Sequence, residues 1–127
     1  MTVRSLPITI GDEDLFLRYL QDDVIAAERE YKIGYTKFFD QKLGSLSLYR
    51  TLLFHGLKTR LRDGKLARRC HDKEEAGELV RLYLSEHYPE EFIRHIYVAF
   101  MASGWVLDPK DDASKAELSE AVEEPKN

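Results

Sequence analysis

Cys70 and His71 are the one place in the chain where a nucleophile adjoins a base. The attacking species is the thiolate, so reactivity needs a base or cations nearby. Arg68 and Arg69 precede the pair and would lower the thiol pKa. Consecutive side chains point apart on most backbones, however, and a lone cysteine in a basic segment carries no catalytic assignment by itself. His55, His71, His87 and His95 are the remaining candidates for metal or proton chemistry. Glu91 and His95 stand four apart on one helical face, but the paired Glu-x-x-His pattern of a di-iron site is missing, and so is H-E-x-x-H. Glu91–His95 therefore reads as a surface pair, and His55 as a hydrogen-bonded, half-buried residue on an apolar helix. Asp22-Asp23 and Glu90-Glu91 fall among solvent-facing positions, without the apolar pocket that would shift a carboxylate's pKa. The glycines are scattered singly, and no phosphate loop, G-x-S-x-G elbow, C-x-x-C pair or dinucleotide fingerprint is present. The expectation is a chain with no catalytic residue, no metal and no cofactor.

Charge is distributed unevenly. The net charge of −4 contains a stretch, residues 49–73, with eight basic and two acidic groups. Its cations are Arg50, Lys58, Arg60, Arg62, Lys65, Arg68, Arg69 and Lys73. Arginine matches carboxylate and phosphate in a fork, so such a cluster suits an acidic protein surface or a nucleic-acid backbone. The plainer reading is that these groups neutralise a helix end and the chain's own acids. No aromatic residue falls within 58–73, so the stacking platform of single-strand binders is absent from that stretch.

Elements must position these groups. The apolar and small residues Leu17, Leu20, Val24, Ala27, Tyr31, Gly34 and Phe38 alternate in steps of three and four. That is a heptad seam and predicts a helix from about Asp12, as N-cap, to Lys42. Gly44 and Ser45 break it, and a second helix is expected over Leu46 to Arg62, closed by Gly64. Asp72 and Glu75 form a capping-box pattern ahead of a third helix that runs to about Glu86. Pro89 opens a fourth, which ends at Gly104. Val3 to Ile10 alternate loosely around Pro7 and read as an extended arm or edge strand. After Asp108-Pro109 the chain has no aromatic residue and a surplus of acid, and reads as a disordered tail with a transient helix over Ser114 to Val122.

The fold expected from these readings is mostly α, a four- or five-helix bundle. Residues 1–11 form the arm, 12–109 a single helical domain and 110–127 the acidic tail. A chain of 127 residues, 43% hydrophobic, is one domain's worth. One cysteine excludes an internal disulfide framework. The opening residues carry no apolar signal region, and the longest mostly apolar stretch, about 12 residues from Ile96, falls short of the ~20 needed to span a bilayer. A cytoplasmic location without membrane contact is the corresponding expectation. The function expected is a non-catalytic protein-interaction module, an adaptor, assembly factor or inhibitor of a larger protein or complex. Its contacts would be the eight cations above and an aromatic cluster of Tyr35, Phe38 and Phe39. The competing readings are a nucleic-acid-binding helical subunit using residues 58–73 on phosphates, and a coiled-coil homodimer along the seam from Leu17 to Phe38.

Overall fold

The computed structural model describes residues 3–40, 45–106 and 111–123. Strands β1 (Arg4–Ile10) and β2 (Glu13–Leu17) form an antiparallel hairpin, with Leu6 opposite Leu17 and Ile10 opposite Glu13. Gly11 takes φ +61° at the first position of the two-residue turn, where a positive φ is needed and a side chain is disfavoured. Strand alternation sends Leu6, Ile8, Ile10, Leu15 and Leu17 into the core and leaves Pro7, Thr9, Asp14 and Phe16 on the outer face.

Helix α1 (Gln21–Tyr31) begins where the Asp23 carboxylate accepts the Leu20 N–H at 3.0 Å, and ends at Lys32, which adopts a left-handed φ of 63°. A 3-10 turn over Tyr35–Lys37 follows. Helix α2 (Leu46–Gly56) is capped by the Ser45 hydroxyl and passes directly into β3 (Leu57–Arg60). Residues 61–65 turn the chain into β4 (Leu66–Arg68), with the Lys65 N–H donating to Asp63 and Gly64 at φ +87°. Asp72 caps α3 (Lys73–Leu84), and Pro89 fills the first turn of α4 (Pro89–Ala102). Helix α5 (Asp112–Leu118) and a two-residue strand β5 (Val122–Glu123) bring the chain back to β1. The strands order as β4-β3-β2-β1-β5, antiparallel throughout, and the sheet curls into a half-barrel. Its inner face packs on α4, while α1 and α3 pack on α2.

The fold is therefore α+β, which corrects the expectation of a mostly α, four- or five-helix bundle. The heptad spacing from Leu17 to Phe38 crosses a strand end, a helix and a 3-10 turn, so no continuous helical seam exists. Its first position, Leu17, is the last inward residue of β2, and its second, Leu20, is the exposed residue that precedes α1, so the spacing is a coincidence across two elements. The expected second helix stops at Gly56, six residues before Arg62, because Leu57 and Lys58 pair with Leu17 and Phe16. The acidic tail is also corrected. Residues 111–123 are ordered as α5 and β5, held by contacts to the body that composition does not reveal. The expected breaks at Gly44 and Asp108-Pro109, and the last four residues of the tail, lie outside the described residues.

Tyr19 joins the layers. Its ring is fully buried against Phe100, at 4.4 Å between centroids, and its hydroxyl donates to the Leu52 carbonyl. Its backbone N–H donates to the Ser103 hydroxyl, and its carbonyl accepts from the Trp105 indole. Gly56 lies directly against the Tyr19 ring. Around this centre Phe39 meets Tyr97 and Phe100 edge-on, and Tyr35 meets Trp105.

Candidate functional site

The β3–β4 ribbon gathers the exposed part of the basic stretch. Lys58 pairs with Arg68 and Arg60 with Leu66 across the ribbon, so Lys58, Arg60 and Arg68 share one face with Phe16 of β2. The Arg60 guanidinium lies over the Phe16 ring, 4.7 Å from its centroid, and its Nη1 donates to the Gly64 carbonyl. Arg68 lies over Phe54 of α2 at 4.8 Å. Each guanidinium is attracted to a ring face, which restricts its rotamers and leaves its outward edge free to donate. Arg62 and Lys65 project from the turn. Arg60, Arg62, Lys65 and Arg68 are all exposed, and none has an ion-pair partner among the described residues.

The other cations of the stretch are committed internally. Lys58 is buried; its Nζ donates to Asp23 at 3.2 Å and to the His55 carbonyl at 2.8 Å. Arg69 spans Glu13 of β2 and Glu75 of α3. Glu75 therefore does not reach back to its helix cap; it holds the sheet to α3 instead. Lys73 binds Glu30 of α1 at 2.5 Å. Arg50 stands apart on α2, along a groove of about 950 Å³ shared with Glu74, Glu78 and Arg81 of α3. The structure thus brings Arg60, Arg62, Lys65 and Arg68 together, and engages Lys58, Arg69 and Lys73 in ion pairs of the chain's own, Lys58 buried and Lys73 still exposed.

The aromatic residues lie elsewhere. Phe38 has no exposed surface, and Tyr35 and Phe39 are half-buried among Tyr97, Phe100 and Trp105. They pack on the rings of α4 and on Trp105 just after it. Of the aromatic residues, all of which are described, Tyr88 alone is exposed, at 74%.

Between α1 and α2 runs a buried polar stripe that sequence reasoning missed. Asp23 and Glu30 face Thr51, His55 and Lys58. Burial works to raise the Glu30 carboxyl, but hydrogen bonds from Lys73 and Thr51 hold it below its ordinary value. Burial pulls the His55 imidazole below its ordinary value; Glu30, 3.6 Å away, opposes that shift and Arg68 adds to it. The Glu30 carboxylate at 3.6 Å is beyond good hydrogen-bond distance, and among the described residues neither ring nitrogen of His55 has a closer partner. The ring is therefore buried beside a carboxylate rather than half-buried and hydrogen-bonded. Helical spacing of Asp23, Ala27 and Glu30 against Thr51, His55 and Lys58 was the available signal.

A stability consequence follows for pH. His55 has a lower pKa folded than unfolded, so the unfolded chain takes up its proton first. Stability is complete above the unfolded value of about 6.5 and falls as pH drops from there through the folded value. The wild-type chain should unfold at a lower urea concentration at pH 5.5 than at pH 7.5. The difference should shrink in His55→Gln, measured as a change in slope between the two pH values. Glu30 and Glu117 titrate below this window, since both are held low in the folded state. An unchanged slope in His55→Gln would assign the dependence to other groups.

Cys70 is buried at 2% exposure, and His71 is exposed. Burial, reinforced by Glu75, pushes the thiol up to about 11 despite Arg68 and Arg69. The expected lowering by those arginines is overridden because the thiol packs into the core. Glu91 pairs with His87 at 2.9 Å and His95 with Glu117 at 2.8 Å, so the expected Glu91–His95 pair is replaced by two others. Among the described residues no group of three His, Cys, Asp or Glu side chains is arranged to hold a metal ion. No helix among them is long and apolar enough to cross a membrane.

The fold and this face define an α+β domain that presents a cationic two-stranded ribbon. No protein-family profile, curated protein or solved structure matches the chain.

Proposed function

We propose that this chain is a non-catalytic protein-interaction module, an adaptor, assembly factor or inhibitor, that engages an acidic surface of a larger protein through the β3–β4 ribbon. The observation that carries the reading is the set of four exposed cations without ion-pair partners among the described residues, Arg60, Arg62, Lys65 and Arg68, on one short ribbon. Two of them are held against aromatic rings, which reduces the entropy lost when they bind a carboxylate. An acidic protein is favoured over nucleic acid by the surroundings. The Phe16 and Phe54 faces are covered by guanidinium groups, which leaves no open ring there on which a base could stack. Asp14, exposed on the same sheet face, and Asp63 in the turn would repel a continuous phosphate backbone.

The test is affinity purification from nuclease-treated lysate with the wild-type chain and the variant Arg60→Glu/Arg62→Glu/Arg68→Glu. The expected result is a defined protein recovered with the wild type and about 10-fold less with the variant, as three rim charges reversed would produce. Equal recovery removes the ribbon from function. Retention of nucleic acid alone, lost on nuclease treatment and steeply salt-dependent, would assign the ribbon to phosphates instead.

A further inference from the structure

Residues 111–123 lie against the body as a small separate unit. Helix α5 has seven residues, too few to be stable without a surface to dock on. Its main hold is one carboxylate: Glu117 accepts from Arg94 Nε at 2.5 Å and from His95 Nδ1 at 2.8 Å. Burial works to raise Glu117, but these two donors hold its carboxyl below the ordinary value. Leu118 packs on the core's edge and Ser114 is buried. Beyond the helix, Val122 and Glu123 pair with Ser5 and Arg4. That covers two of the seven residues of β1; on the same side, Leu6 to Ile10 have no strand partner among the described residues.

The charges of the two surfaces are complementary. Residues 111–123 carry five carboxylates and one lysine, and the body offers Arg94 and His95 to the helix and Arg4 opposite Glu123. We propose that the α4–β1 surface is a docking site for an acidic segment of a partner protein, a short helix followed by an extended strand, and that residues 111–123 are its built-in competitor. The Arg94–His95 fork selects a carboxylate, and the β1 edge adds main-chain hydrogen bonds that tolerate many sequences. The tethered segment has the advantage of a high effective concentration. A partner offsets that advantage with a longer strand, because it gains ladder bonds along β1 that the two residues of β5 do not make.

The test titrates the full isotope-labelled chain with a synthetic peptide of residues 111–123 and reads backbone amide shifts. In wild type the site is occupied by the chain's own segment. Glu117→Lys weakens that segment, so half-saturation of the Arg4, Ser5, Arg94 and His95 shifts should need at least about 10-fold less peptide than in wild type. Adding Arg94→Glu to Glu117→Lys should abolish the shifts. Equal half-saturation in both chains, or no shift at these amides in a folded Glu117→Lys chain, would overturn the proposal. Hydrogen exchange on the wild-type chain decides the matter if Glu117→Lys does not fold. Amides of Lys115 to Leu118 should then exchange at least about 100-fold faster than those of Ile96 to Phe100. Equal protection would make the segment an integral part of the core and overturn the proposal.

Discussion

Gly56→Ala is expected to destabilise the protein by about 3 kcal/mol or more, one of the two largest effects of any single substitution proposed for it. A β-carbon at this position would overlap the Tyr19 ring, at the last residue of α2. Tyr19 has no room to retreat. Its ring is pressed on Phe100, its hydroxyl is bound to Leu52, and its backbone is bound to both Ser103 and Trp105. The Gly56 carbonyl is also fixed, because it accepts the Arg18 N–H at 2.9 Å where β2 ends. Overpacking would therefore be relieved by moving α2 away from the sheet, at the cost of the β2–β3 pairing that follows directly from it. Urea denaturation of Gly56→Ala, Tyr19→Leu and the double variant measures this. The double variant should be less destabilised than the sum of the singles by about 1–2 kcal/mol, because the smaller side chain makes room for the added methyl. A Gly56→Ala chain within about 0.5 kcal/mol of wild type would show that the contact is looser than described.

Asp23→Ala should cost about 3–5 kcal/mol. Asp23 and Lys58 are both buried, and among the described residues this carboxylate is the one anionic partner bound to Lys58. Burial, with Arg18 and Arg68 adding to it, holds the Lys58 ammonium below its ordinary pKa, and Asp23 opposes that shift. Removing the carboxylate strands a charge in the interior, with the His55 carbonyl as its remaining acceptor among the described residues. It also removes the acceptor of the Leu20 N–H, worth about 1 kcal/mol as a helix cap. The pair itself is not a large net source of stability, since desolvating two charges consumes most of their attraction. Asp23→Leu combined with Lys58→Met should therefore recover most of the loss. Thermal and urea unfolding of both variants check this, and a double variant as unstable as Asp23→Ala would show that the ion pair contributes far more than its desolvation removes.

Some of this architecture could be read directly from the residues. Asp72 ahead of α3 and Pro89 at the first turn of α4 are local signals, and local interactions satisfy them. Pro7 in β1 is consistent with its place next to a sheet edge that β5 covers over two residues. The hairpins were written in the sequence too, as Gly11-Asp12 between Ile8/Ile10 and Leu15/Leu17, and as Asp63-Gly64 between β3 and β4. They were outweighed by a helical spacing that arose by coincidence across the end of β2 and the start of α1. Strand pairing is decided by residues far apart in the chain, so a window of one period cannot separate the two readings. The basic stretch was visible as a run of charge, but not which of its members were free. Their partners are Glu13, Asp23, Glu30 and Glu75, and only the closed fold brings those acids to Arg69, Lys58 and Lys73.

The strand order bears on how the chain comes to be folded. Residues 4–17 can form their hairpin early, but β2 lacks its second neighbour until residues 57–60 have been synthesised, and β1 lacks its second neighbour until residue 123 has emerged. During translation the oldest strands of the sheet thus wait longest, with Ile8, Ile10, Leu15 and Leu17 uncovered on one face. Waiting of this kind, set by contacts distant in sequence, slows folding and exposes unpaired strand to other chains. Pro7, which withholds one N–H from any strand that approaches, is the residue in β1 that limits that hazard while the rest of the chain is made.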